Sequence, residues 1–323
     1  MSSFVTTLSL PKYGDQPFLT DGGLETDLIH RRGVELEHFA AFPLLDTQHG
    51  RALLRSYYDD YVAIARANAA PLLLESPTWR ANPDWATLLG YPPSELSRVN
   101  TAAIALMREI QAQHPDVHTV VSGSIGPRYD GYSADARLDP DEAADYHSAQ
   151  LHAFAAAGAD LATAYTITHV GEAIGIVRAA RGAGLPIAIS FTVETDGRLP
   201  SGTALADAIT DCDAHAAPDY YLLNCAHPTH IQAALTAPGP WTARIAGIRA
   251  NASTRSHAEL DDSPDLDDGD PTRFATDLHA LAARLPHVAI LGGCCGTDAR
   301  HIAALAHSGP PRSASPSAGS ETA

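Results

Sequence analysis

The sequence predicts an α/β fold, a single (β/α)8 barrel, on three observations. Short apolar runs recur eight times along the chain, the stretches between them carry helical periodicity, and Gly/Pro punctuation separates the two. The length of 323 residues suits one large barrel, since α/β barrels commonly exceed about 250 residues. A hydrophobic content of 45% supplies one large core.

The candidate strands, in order, are Pro17–Thr20, Pro71–Glu75, His118–Ser122, Asp160–Tyr165, Pro186–Thr192, Asp219–Asn224, Arg244–Arg249 and His287–Leu291. Several are nearly continuous in apolar residues (PLLLES, PIAISF, VAILGG), as parallel strands covered on both faces require. Between them, Arg51–Asn68 places Leu54, Tyr57, Tyr58, Tyr61, Ile64 and Ala65 at helical spacing. Asp139 stands as a capping acid before Pro140 at the first turn of a helix running to Gly158. His169–Ala183 reads as a helix stopped by Gly184 and Pro186, and Ala204–Ala214 as another, with Cys212 packed inside it.

Two segments fall outside this pattern. Glu259–Asp270 is an acidic stretch after the seventh strand. It fails as a calcium loop, because Gly269 is one place early and Thr276 stands where the bidentate Glu belongs, so it is expected to be a solvated loop. The barrel is expected over residues 1–307, followed by a disordered Ser/Pro-rich tail over 308–323. No internal repeat of about 20–50 residues appears.

A net charge of -17, from 38 acidic and 21 basic residues, argues against a nucleic-acid or anionic-membrane surface, both of which need clustered Lys/Arg. The segment MSSFVTTLSLPKYGDQPF lacks a basic stretch followed by a continuous apolar one, and no apolar run is long enough to span a bilayer. Four cysteines, two of them adjacent, do not make a disulfide framework. Together these features predict a cytoplasmic enzyme acting on small molecules. The sequence specifies no oligomeric state.

In a parallel barrel the chemistry sits on loops after the C-terminal strand ends. The unusual polar residues fall there: Asp21-Gly22-Gly23, Ser76–Trp79, Gly123–Pro127, Tyr165-Thr166, Asn224-Cys225 and Gly292–Gly296. Cys225 after the sixth strand and Cys294-Cys295 after the eighth face one another across the mouth. Three thiolates bind Zn2+ and leave a fourth position open, the arrangement of a catalytic site. The flanking glycines let the backbone turn so that neighbouring sulfurs reach one metal. His227 and His230 complete a Cys-x-His-x-x-His string, but with 16 histidines in the chain they read as neighbours of the site rather than ligands.

DGGLET at Asp21–Thr26, the Asn224-Cys225 pair and GGCCGT at Gly292–Thr297 resemble the homocysteine S-methyltransferases, with supporting matches at Asp160-Leu161 and Ser190–Thr192. The resemblance runs from about Phe18 to Ala304. It implies a barrel whose zinc is held by Cys225, Cys294 and Cys295, with homocysteine sulfur in the open position attacking a methyl group on a sulfonium or ammonium donor to give methionine. It implies that Asp21 and Gly22 contact the amino-acid end of the thiol, and that Asn224 and Thr78 belong to the site. Trp79 stands where the family has Tyr or Phe, and its ring offers a cation–π face for an onium donor or serves as wall packing.

The chain departs from this pattern at three places. Tyr165 stands where the family carries Glu at the end of strand four, Arg249-Ala250-Asn251 replaces Tyr-Pro-Asn after strand seven, and Glu25 replaces a small residue. A tyrosine cannot supply charge, so an ammonium there loses a charge-assisted hydrogen bond worth about 1.5–3 kcal/mol. Two readings follow. Either Glu25 supplies the carboxylate and homocysteine is the acceptor, or the acceptor is another thiol whose own carboxylate pairs with Arg249; the first is preferred. No Gly-rich loop resembles a dinucleotide or Rossmann adenosylmethionine site. The chain is too short to add cobalamin and folate modules beyond the barrel. The donor is therefore expected to be a free small molecule such as S-methylmethionine, adenosylmethionine or betaine rather than a tethered cobalamin, with a separate corrinoid protein as the alternative methyl carrier. A metal-dependent barrel hydrolase and a non-catalytic thiol- or metal-binding barrel are the competing classes.

Overall fold

Eight parallel strands close on one another in sequence order in the computed structural model of the chain. The structure describes residues 16–131, 138–261, 263 and 265–309. The strands are β1 (Phe18–Leu19), β2 (Leu72–Glu75), β3 (Thr119–Ile125), β4 (Leu161–Ile167), β5 (Ile187–Phe191), β6 (Tyr220–Asn224), β7 (Ile245–Ala250) and β8 (Ile290–Gly293). The barrel expected from the sequence is borne out.

Most expected strands recur with their ends trimmed. Some run further: β4 continues through Thr166-Ile167. Two differ most: β3 runs on through Gly123-Ser124-Ile125, expected in the following loop, and β8 starts at Ile290 rather than His287 and ends at Gly293. Both shifts carry the strands towards the mouth, where β4 and β7 supply hydrogen-bond partners that a reading of apolar runs does not register.

A helix follows each strand. The first long one, Gln48–Ala67, begins where the Thr47 side chain accepts a hydrogen bond from the Gly50 N–H, and it buries Leu54, Tyr57, Tyr58, Tyr61, Val62 and Ala65. Pro140–Ala156 starts at Asp139 as expected, and Val170–Ala183 stops at Gly184, whose φ of 70° is the left-handed conformation that glycine takes without strain. Cys212 is buried in Leu205–Ala216, consistent with plain packing. Among the described residues, no helix is long and apolar enough to cross a membrane.

The acidic stretch after β7 corrects its expectation. Its first residues belong to a short helix, His257–Asp261, and Asp267 and Asp268 are tied down, by Ser253 at 2.6 Å and by Arg31 and Arg300 at 2.6 Å each. Asp270 caps the helix Pro271–Ala282. A stretch that reads as a charged run is held against the barrel top by cations and hydroxyls distant in sequence. The tail expected to be disordered lies outside the described residues from 310 onward.

Inside the barrel, Phe18, Leu73, Val120, Leu161, Ala188, Leu222 and Ile290 pack into an apolar layer. Strand alternation sends the residues two further along to the same face. Six of those seven are buried and polar, Thr20, Glu75, Ser122, Thr163, Ser190 and Asn224, and the seventh is Gly292. The barrel is thus closed below by hydrocarbon and floored above by hydrogen-bonding groups.

Candidate metal and substrate site

A cavity of about 420 Å³ opens at the C-terminal end of the strands, a size suited to a small-molecule ligand. Asp21, Gly22, Glu25, Trp79, Tyr165, Asn224, Arg249 and the three cysteines Cys225, Cys294 and Cys295 all line it, as the sequence leads one to expect. Thr78 does not. It is fully buried, and its hydroxyl bonds the Ser124 carbonyl at 2.7 Å and the Ser76 hydroxyl at 2.6 Å, so it braces the loop after β2 rather than facing a ligand.

The sulfurs of Cys225, Cys294 and Cys295 lie within 4.8 Å of one another, and those of Cys225 and Cys295 are 3.5 Å apart. Four ligands held tetrahedrally at about 2.3 Å from zinc stand about 3.8 Å from each other, so the three thiols are spaced for one such ion. The backbone builds this spacing. Cys225 has a φ of 56°, an uncommon and costly conformation for a residue with a Cβ. It is held there by its N–H bond to the Arg249 carbonyl at 3.1 Å and by His257, whose Nε2 meets the Cys225 carbonyl while Nδ1 meets Glu194 at 3.0 Å. Cys294 is fixed through its N–H to the Ala250 carbonyl at 2.8 Å, and its carbonyl accepts from the Thr297 hydroxyl at 2.7 Å. At Gly23 a Cβ would stand 2.6 Å from the Cys294 carbonyl oxygen, so the loop after β1 reaches the cysteine pair only without a side chain there.

The thiols share their protons. Hydrogen bonds from Cys225 and Cys295, with the charge of Arg249 behind them, hold Cys294 well below the ordinary thiol range, while hydrogen bonding with Cys225 and Cys294, together with burial, pushes Cys295 up. Asn224 adds a contact from its amide Nδ2 to the Cys294 sulfur at 3.8 Å. That amide is itself locked: its Oδ1 accepts from the Thr166 N–H at 2.9 Å and the Ser190 hydroxyl at 2.7 Å, and Nδ2 also donates to the Thr166 hydroxyl at 2.9 Å. The register of β4 against β5 slips between Ala164 and Ile167, and Thr166 has a φ of 62°. This irregularity turns both Tyr165 and Thr166 to useful directions, as bulges near functional sites do.

His227 and His230 stay outside the cluster. His227 caps the helix Pro228–Ala234, and burial lowers it to about 4, leaving it neutral near pH 7; His230 meets the Thr254 carbonyl at 3.1 Å.

Arg249 is already engaged. It pairs with Asp21 at 2.5 Å and donates to the carbonyls of Gly22 and Gly293 at 3.0 Å each, with its guanidinium 4.8 Å from the centre of the Tyr165 ring. Asp21 also accepts from the Tyr57 hydroxyl at 3.0 Å. The arginine therefore neutralises the barrel's own Asp21, which weakens the alternative in which it awaits a substrate carboxylate. Glu25 lies in the first turn of Leu24–His30, where burial pushes it up to about 7. Trp79 donates to the Tyr165 carbonyl at 3.3 Å and has the Arg80 guanidinium 4.3 Å from its ring centre.

One wall residue was not singled out from the sequence. Glu75, the last residue of β2, is 4% exposed and accepts from the Tyr165 hydroxyl at 2.6 Å. Tyr58 holds its backbone carbonyl at 2.7 Å. The available signal was alternation: Leu73 faces the barrel interior, so Glu75 must face the mouth.

Fold and site define a class, a (β/α)8 barrel with a three-thiol cluster of metal-binding geometry at its mouth. The homocysteine S-methyltransferase family model matches residues 18–308, and the chain belongs to that family. It is 26% identical over 198 residues to homocysteine S-methyltransferase YbgG of Bacillus subtilis (strain 168), a match covering 58% of this chain. The matched region spans 60% of that curated relative's length. Among solved structures, the metallated form of the homocysteine methyltransferase MmuM from Escherichia coli superposes with a TM-score of 0.71 at 21% identity, covering 91% of this chain and 96% of that one. Its oxidized form gives 0.71 at 22% identity with the same coverage. These two likenesses are of fold.

Proposed function

We propose that this protein is a zinc-dependent S-methyltransferase that moves a methyl group from a small sulfonium or ammonium donor to a thiol, homocysteine, giving methionine. The observation that carries the reading is the cluster of three sulfurs within 4.8 Å on the wall of a cavity. Family membership supports the same chemistry.

Cys225, Cys294 and Cys295 would hold the metal. Zinc bound by three thiolates supplies one open position and keeps an incoming thiol in its nucleophilic, deprotonated form. The protein's own residues do the rest. Asn224 orients Cys294, His257 and Glu194 fix the strained Cys225 backbone, and the Asp21–Arg249 pair closes the floor without leaving a stray charge. Trp79 forms a wall of the cavity, offering an aromatic surface to an onium methyl donor. A donor set of three thiolates favours a thiol nucleophile over hydrolysis, because it pushes electron density onto the metal and makes it a poor acidifier of water.

The reading is tested by incubating the zinc-loaded protein with homocysteine and, separately, S-methylmethionine, adenosylmethionine and betaine. Methionine formed from at least one donor, and abolished in Cys295→Ala, is the expected result. No methionine from any donor at full zinc occupancy would refute homocysteine as the acceptor.

A further inference from the structure

The cavity has an unbalanced charge. Asp21, Glu25 and Glu75 line it together with the three cysteines, and the guanidinium nearest them, Arg249, is paired with Asp21 at 2.5 Å. The other lining arginine, Arg80, is stacked on aromatic rings, 4.3 Å from the centre of Trp79 and 3.6 Å from that of Trp85. Glu75 is the most enclosed of the three acids. Its Oε1 accepts from Tyr165, the Ser122 hydroxyl on β3 also draws on the carboxylate, and Oε2 is buried without a hydrogen bond of ordinary geometry. Asn251 Oδ1, on a residue lining the same cavity, is a second buried acceptor lacking a donor. Buried acceptors left open are costly unless something supplies N–H groups to them. A ligand that brings a primary ammonium supplies three donors and the missing positive charge at once.

We propose that Glu75, presented by β2 and braced by Tyr165 and Tyr58, binds the ammonium group of the acceptor, making this an amino-thiol methyltransferase. The proposal rests on the methyltransferase reading above and deepens it by assigning the residue that selects the acceptor. Tyr165 takes part as the partner that orients Glu75: its hydroxyl holds Oε1 at 2.6 Å, and its ring is kept in place by the Arg249 guanidinium at 4.8 Å. That leaves Oε2 as the oxygen available to a ligand. The carboxylate is thereby supplied from the second strand to a place where the fourth strand offers only a phenol. Glu25 lacks a comparable brace: among the described residues, no side-chain hydrogen bond holds its carboxylate.

The test compares homocysteine with 4-sulfanylbutanoate, which differs from it by lacking the amino group. Each thiol is titrated into cobalt-substituted protein, and binding is read from the sulfur-to-cobalt absorption band rather than from turnover. Wild type is expected to prefer homocysteine by about 10- to 100-fold, the range of one charge-assisted hydrogen bond. In Glu75→Gln the preference falls to within about 3-fold, a small fraction of that interaction, while affinity for 4-sulfanylbutanoate stays the same. Glu75→Asp keeps the charge, shortens its reach by one carbon, gives an intermediate preference and carries the test should the Gln variant fail to fold. An undiminished preference in these variants overturns the proposal, as does a loss that falls on a sulfonium donor instead. If neither thiol perturbs the spectrum of the wild-type protein, the methyltransferase reading itself fails, and this assignment with it.

Discussion

Replacing Glu75 with Gln should stabilise the ligand-free protein, and only above mildly acidic pH. Burial pushes the Glu75 carboxyl from 4.5 up to about 7 despite the attraction of Arg249 and the Tyr165 hydrogen bond. The sign follows from proton linkage. A native state that holds a proton which the unfolded chain has released loses stability as pH rises from about 4.5 through about 7. Above that window the full penalty is about 3 kcal/mol, at 1.36 kcal/mol for each tenfold change in proton affinity. Gln keeps an oxygen to accept from Tyr165 and carries no charge to desolvate, so it escapes the penalty. Urea midpoints for wild type and Glu75→Gln at pH 5 and pH 8 check this. The two proteins should differ little at pH 5, and the variant should be more stable by up to about 3 kcal/mol at pH 8. A difference that is the same at both pH values, or a variant less stable at pH 8, would refute the claim that a desolvated carboxylate sits at the end of β2.

Other perturbations follow from the same geometry. Arg249→Leu strands the Asp21 carboxylate beneath the cavity and should cost about 3–5 kcal/mol in denaturant unfolding, with much of the loss recovered on adding Asp21→Asn. Asn224→Ala removes the amide joining Thr166 and Ser190 to the Cys294 sulfur and should weaken zinc by about 10- to 100-fold in chelator competition, leaving the fold intact by circular dichroism. Trp79→Ala should raise KM for the sulfonium donor by roughly 3- to 30-fold while zinc content and thiol binding hold; an unchanged donor KM would reduce Trp79 to wall packing.

What was legible in the sequence was what periodicity and local spacing carry. Apolar runs separated by capped helices give the barrel, and Cys225 with Cys294-Cys295 gives a three-sulfur cluster because strands six and eight must end at the same rim. What was not legible depends on contacts between residues far apart in the chain. Tyr57 and Tyr58 read as an apolar helix face, yet their hydroxyls reach Asp21 and the Glu75 carbonyl. Thr78 reads as a site residue from its neighbours, but a hydrogen bond across to Ser124 turns it away from the cavity. Glu75 was hidden as the last letter of an apolar run, since only the order of strands around the mouth brings it to Tyr165, 90 positions away in sequence. The Arg249–Asp21 pair, spanning 228 positions, was hidden in the same way.

The central claim is that three cysteines hold one zinc ion with a position open to a thiol. The most direct measurement is zinc stoichiometry by elemental analysis for wild type, Cys225→Ala and Cys294→Ala, purified under reducing, chelator-free conditions. The account predicts about one zinc per wild-type chain and almost none in either variant, as expected when one of three thiolate ligands is lost. A wild-type protein without zinc, or variants that retain it in full, would contradict the account.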